Sequence, residues 1–366
     1  VGLLARELWA EAFSVQRAGV DVRAGLAGAA ACSVPLALGI ALGEEAIGVT
    51  ASFGGLNAAL GVPRGALRER IGWGGGAALG CCLSVVAATA VQDSIAASAV
   101  AAFVLVGLAA FLRTFGANGG MTGFVIGAIF VIMNGIPSAP LDVGERTLWF
   151  ALGSLAGVVL MVAGYGRDAS PPRKAASAFT TLLVLGARQF RDALARDRLL
   201  RAHALRLASI VALTTLVYQL LGLQHGYWVP LTVLAVLQPE EHASSVRAIQ
   251  RATGTLIGTA VIAVLTIATG EEWLMVGGQC IAAFGLFALH SRGYFWLVVL
   301  LTPTALLTLS AVDYQGDAVA LERAAWSALG IVLGVGVAEL AWRLPHHRPR
   351  AAGSSPAPAV RSSPPP

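Results

Sequence analysis

Glu145-Arg146-Thr147-Leu148-Trp149-Phe150-Ala151-Leu152-Gly153, followed by Gly157, returns 177 residues later as Glu322-Arg323-Ala324-Ala325-Trp326-Ser327-Ala328-Leu329-Gly330, followed by Gly334. Both stretches read E-R-x-x-W-x-A-L-G-x-x-x-G, and both open an apolar run. Arg70 and Arg251, Arg113 and Arg292, and Pro63 and Pro239 recur near the same offset, each where an apolar run starts or ends. The chain reads as two tandem, related halves, the weak internal symmetry common in membrane transport folds.

Outward from these elements, apolar runs cover residues 22–42, 46–62, 72–91, 94–112, 121–137 and 147–165, then 206–223, 227–239, 252–270, 272–289, 294–312 and 324–343. Most approach the ~20 residues that carry a helix across a bilayer. Of the 366 residues 56% are hydrophobic and 12% charged, half the charge of a soluble domain at about 25%. The 43 glycines suit helices that pack closely in lipid. The expected fold is an all-α membrane protein of about 12 transmembrane helices in two six-helix repeats.

Charge orients it. With the N-terminus in the cytoplasm, twelve crossings leave 23 of the 25 basic residues inside and only Arg146 and Arg323 outside. The outer loops are acidic, with Glu44, Glu45, Asp93, Asp142, Glu145, Glu271, Glu272 and Glu322 among them. The positive-inside rule then predicts cytoplasmic termini and a multi-pass protein of the cytoplasmic membrane. The expected organisation is an interfacial amphipathic helix over 1–21, a first repeat over 22–165, a basic cytoplasmic linker over 166–205, a second repeat over 206–343 and a disordered tail over 344–366. Six spans is an even number, so both halves enter the membrane in one orientation. They should be related by a pseudo-two-fold axis along the membrane normal, with the pathway between them.

Several functions are disfavoured. Net charge is +5, but the basic residues flank apolar runs and form no nucleic-acid face. No GxxxxGK[ST], HExxH or GxSxG occurs, so neither an enzyme nor a cofactor is expected. Cys32, Cys81, Cys82 and Cys280 lie in apolar runs without CxxC spacing and read as small hydrophobes, not metal ligands.

The pathway candidates come from the second span of each half. Tyr227-Trp228-Val229-Pro230 through Gln238-Pro239 leaves about a dozen residues, too few for a full crossing. Its counterpart carries Gly54, Gly55 and Asn57. Short or Gly/Pro-interrupted spans at matching positions point to a transport site, because unwound backbone offers free N–H and C=O groups. They also suit a tightly packed scaffold. Arg146 and Arg323, beside Glu145 and Glu322, either anchor the interface with Trp149 and Trp326 or attract an anion at an outer mouth. Glu339 is the acid within an apolar run, a candidate for proton coupling or for snorkelling to the interface.

Tyr227-Trp228-Val229-Pro230-Leu231-Thr232, Gln238-Pro239, Arg247, Arg251, Gly254-Thr255 and Gly258 resemble the FUSC (fusaric acid resistance protein-like) family of integral membrane transporters. That family includes bacterial aromatic acid exporters and is related to plant aluminium-activated malate transporters. The second half carries the better match; in the first, Ile47-Gly48 and Gly74-Gly75 replace Tyr-Trp and Gly-Thr. The resemblance implies export of small organic anions, aromatic carboxylates among them, with the bilayer and the anion as partners. A passive anion pore and a non-transporting scaffold for envelope assembly stand as alternatives, and oligomeric state is open.

Overall fold

The computed structural model describes residues 11–13, 19–166, 178–239, 241–269, 272–310 and 316–343, without the side chains of 178–185, 241–242, 263–269, 272, 316–324 and 341–343. The regular elements of the described residues are all helical. In chain order they are α1 (Val22–Leu42), α2 (Glu45–Gly61), α3 (Leu67–Val91), α4 (Ile95–Phe111), α5 (Gly116–Gly135), α6 (Val143–Gly164), α7 (Ala178–Arg196), α8 (Arg198–Leu220), α9 (Trp228–Val236), α10 (Glu241–Thr269), α11 (Glu272–Leu289), α12 (Tyr294–Ser310) and α13 (Gly316–Arg343). Short 3-10 turns, Leu112–Phe115 and His290–Arg292, precede α5 and α12. Among the described residues, six helical stretches are long and apolar enough to cross a membrane; α1, at 21 residues, spans about 31 Å.

Exposure sorts the helices into two shells. Leu26, Leu79, Leu108, Leu155, Leu213, Ile257, Ile281 and Val332 are exposed, one each on α1, α3, α4, α6, α8, α10, α11 and α13. Among the described residues, α2, α5, α9 and α12 expose no large hydrophobic side chain. These four form the interior, and leucines and valines turned outward are what hydrocarbon solvates. The described buried polar residues of these four helices are uncharged. They include Thr50, Ser52, Asn57, Thr122, Asn134, Thr232, Thr302, Thr304 and Thr308.

The inner helices show why small residues are numerous. A Cβ at Gly54 would strike the Phe150 carbonyl, one at Gly55 the Ala31 carbonyl, and one at Gly153 the Ala51 carbonyl. Backbones of α1, α2 and α6 thus touch directly. The expected interruption of the first half's second span does not occur. α2 is an unbroken 17-residue helix, because its glycines serve close approach and not unwinding. The short span of the second half is short as expected. α9 has nine residues, about 14 Å, and Leu237 beyond it is extended, with φ −68° and ψ 115°. All nine residues are buried, so protein and not lipid surrounds the irregular backbone.

The first six helices and α8–α13 meet along two seams. α4 packs on α8, and α11 packs on α1; deeper in, α5 meets α9 and α12 meets α2. Polar contacts cross both seams: Gln219 Nε2 donates to Asn134 Oδ1 at 2.9 Å on one side, and the buried Ser33 Oγ to Gln279 Oε1 at 2.5 Å on the other. Asp21 and Asp197 hold matching positions as N-caps of α1 and α8, accepting from the amides of Ala24 and Leu200.

Candidate functional site: a cationic cavity between the halves

A cavity of about 430 Å³ opens at the end of the α4/α8 seam. Its apolar wall comprises Val106, Ala109, Ala110, Leu207 and Leu234, and its polar residues are Arg113, His203, Gln238, Arg247 and Tyr294. The described lining residues include no Asp or Glu; Glu240 and the side chain of Glu241 lie outside the described residues.

Local sequence places each polar group. Arg113 sits in the 3-10 turn ended by Gly116, whose φ of +79° and ψ of −156° a side chain would disfavour. Pro239 disfavours helix at Gln238, and Ser244 Oγ accepts from the Gln238 amide at 2.9 Å. Gln238 Oε1 thereby reaches across the seam and accepts from Arg113 Nη2 at 2.9 Å. Arg247, near the start of α10, stacks 3.8 Å from the ring centroid of Tyr294, the first residue of α12, a cation–π contact. His203 is buried with its Nδ1 unpartnered, and the Tyr294 hydroxyl is buried without a hydrogen bond. Arg113 and Arg247 are close enough to interact electrostatically. Two guanidiniums held on neutral partners leave net positive charge in a half-dry space, which an anion would neutralise. A carboxylate there could accept from arginine, from the phenol and from imidazole N–H.

Of the sequence candidates whose side chains are described, the structure brings Gln238 alone to this cavity. Tyr227 and Trp228 are buried at the other end of α9, their rings 4.9 Å apart, and Tyr227 packs on Gly135. Pro230 lies in the first turn of α9, where a missing N–H costs nothing, and Pro239 follows the helix without lining the cavity. Gly54 and Gly55 form the α2 contacts above, and Asn57 Nδ2 donates to the Phe53 carbonyl of its own helix at 3.0 Å. Glu339 is exposed on α13.

Arg146 needs a correction. It neither faces an outer mouth nor pairs with Glu145. It is 3% exposed and donates to the carbonyls of Met133 at 3.0 Å and Ile136 at 3.2 Å, and to Thr89 Oγ1 at 3.3 Å. α5 ends into Pro137 and Pro140, which carry no N–H, so its last carbonyls need another donor. Glu145 instead closes a capping box with Asp142 at the start of α6. Glu322 and Arg323 lie on α13, and their side chains are outside the described residues.

Sequence reading marked Arg113 only as a repeat landmark and missed His203 and Tyr294 altogether. A basic residue closing an apolar run with no acid nearby was the available signal for Arg113. Among the described residues no group of His, Cys, Asp and Glu has the form of a metal site.

Helices that turn leucine and valine outward around four inner helices with buried polar residues define a multi-pass integral membrane protein. Residues 211–351 match the family model described as fusaric acid resistance protein-like. The chain is similar to inner membrane protein YccS of Escherichia coli, at 30% identity over 141 residues, 38% of this chain and 19% of that protein. It is similar to an uncharacterized protein of Haemophilus influenzae, at 28% over 131 residues, 36% of this chain and 18% of that one. An uncharacterized protein ORF2 of Neisseria gonorrhoeae matches at 31% over 112 residues, 30% of this chain and 26% of that one. The matched stretch thus spans about a fifth to a quarter of the length of these relatives. No solved structure matches the chain.

Proposed function

We propose that the protein is a transporter exporting small organic anions, aromatic carboxylates among them, across the cytoplasmic membrane. The observation that carries this reading is the cavity between the halves. It sets Arg113 and Arg247 on neutral partners beside an apolar wall, a pairing suited to an anion with an apolar body. The family-model match over residues 211–351 and the inner-membrane description of YccS support the class and the location.

The proposed architecture is twelve crossings in two repeats over 22–165 and 206–343, with both termini and the basic linker in the cytoplasm. Reciprocal packing supports it. The fourth helix of each half lies on the first helix of the other, and the fifth on the second. In each half the second and fifth helices are the inner ones. An isologous arrangement of this kind follows from a two-fold axis.

A passive pore is the second reading, favoured by one observation: α5, α9 and α12 contain no charged residue that would couple flux to protons. Reconstitution separates the two. Dissipation of an imposed proton gradient on adding benzoate to proteoliposomes supports the coupled transporter. Voltage-driven current without such dissipation selects the pore, and neither signal favours a scaffold.

A further inference from the structure

The two seams use corresponding helix pairs but are filled differently. Along α1/α11, aromatic rings are keyed into glycines. A Cβ at Gly28 would collide with the Phe287 ring, and one at Gly25 would stand 2.8 Å from Phe284. Phe287 is 2% exposed. The end of this seam is pinned as well: the Asp21 amide donates to the Ala288 carbonyl at 3.0 Å, and within the first half Arg64 Nη2 pairs with Asp21 Oδ2 at 3.1 Å. Along α4/α8 the fill is aliphatic beside the cavity, where small residues stand among Val106 and Leu207. A Cβ at Gly107 would meet Ala208 Cβ at 3.4 Å, and Ala109 and Ala110 line the cavity.

We infer that the α1/α11 seam is sealed, and that the α4/α8 seam holds an anion site in which Ala109 and Ala110 set the size of the ligand's apolar body. This rests on the reading of the cavity as the transport site. Arg113 now donates to an uncharged amide oxygen; a carboxylate is the stronger acceptor, so the ligand displaces Gln238 from the guanidinium. Its apolar portion then lies toward Val106, Ala109, Ala110 and Leu207. On the sealed seam Asp21 already supplies the anion for Arg64, and phenyl rings fill the space beside it. Substrate selection by size therefore depends on two alanines on α4, and their enlargement narrows the site without touching a charged group.

The test is binding of acetate, benzoate and 2-naphthoate to the full chain in lipid nanodiscs by isothermal titration. Ala109→Val and Ala110→Val should each weaken 2-naphthoate by about tenfold, the usual scale for a methylene-sized change in an apolar pocket. Benzoate should weaken less and acetate not at all, while Phe287→Leu leaves the series within about twofold of the unmodified chain, below the effect expected of a pocket-lining change. If Ala109→Val fails to fold, Ala110→Val alone reads the same cut-off. The inference is overturned if the size series is unchanged in both alanine variants, if Phe287→Leu shifts it as strongly, or if none of the three carboxylates binds the unmodified chain. Insensitivity to the alanines with binding and flux lost in Arg113→Gln/Arg247→Gln removes this inference and keeps the transport reading. Size-graded binding without flux does the reverse.

Discussion

Arg146 and Arg113 are both arginines beside an apolar run, yet their surroundings assign them opposite work. Arg146 is enclosed and bonded to the carbonyls that end α5, so Arg146→Gln strands those acceptors. The expected loss is about 2 kcal/mol of stability, read as an earlier thermal transition in detergent. Because the contacts are buried, salt should not alter the loss. Flux through the protein that remains folded should be unchanged at low and high ionic strength alike; a selective loss at low salt would restore the outer-mouth role. Arg113 and Arg247 are held by an amide and an aromatic ring. Replacing either with Gln should move stability by no more than about 1 kcal/mol, the scale of changes away from structural networks, while weakening carboxylate binding. A fall in stability as large as that of Arg146→Gln would mark them as structural.

Individual helices show which parts of the fold were legible in sequence. α9 was legible because Pro239 and the dozen residues before it are local signals, and the helix ends at Val236 as the proline requires. α2 was ambiguous in sequence because glycine marks either an interruption or a close contact. The distinction depends on what lies opposite, here the Phe150 and Ala31 carbonyls. Gly54→Ala and Gly55→Ala should therefore lower stability by about 1–3 kcal/mol, as overpacking does, measured by thermal unfolding. If both variants keep full stability and lose binding, the glycines belong to a site after all. The cavity was not legible because Arg113, His203 and Tyr294 come from elements far apart in sequence. Patterns within one half carry no information about which ends converge across a seam. His203 also lies in an otherwise apolar helix face, where sequence alone cannot tell a packed imidazole from a ligand-facing one.

Across the whole molecule, the two halves form one body joined by seams that differ in filling. Motion during a transport cycle should concentrate along α4/α8, the seam that ends in the cavity. Cysteines at Gly107 and Ala208, whose Cβ positions are 3.4 Å apart, are near disulfide range. In a background lacking the four native cysteines, oxidising that pair should stop anion flux, and reduction should restore it. Joining Gly25→Cys to Ala288→Cys, with Cβ positions 3.0 Å apart on the sealed seam, should leave flux intact. Equal inhibition by both cross-links would mean that both seams move. The topology has its own check, since Phe190 packs on Phe111 with ring centroids 5.9 Å apart, which puts α7 at the end of the bundle that carries Arg113. Phe190→Cys should resist an impermeant thiol reagent applied to intact cells, and labelling from outside would invert the orientation.

The most direct measurement of the central claim is carboxylate flux in proteoliposomes containing the unmodified chain or Arg113→Gln/Arg247→Gln at equal protein density. The account predicts saturable benzoate flux in the first and a loss of at least about tenfold in the second, as expected when charge-assisted hydrogen bonds to an anion are removed. Thermal stability should be nearly unchanged between them. Equal flux in the two preparations would contradict the account and place the pathway away from this cavity.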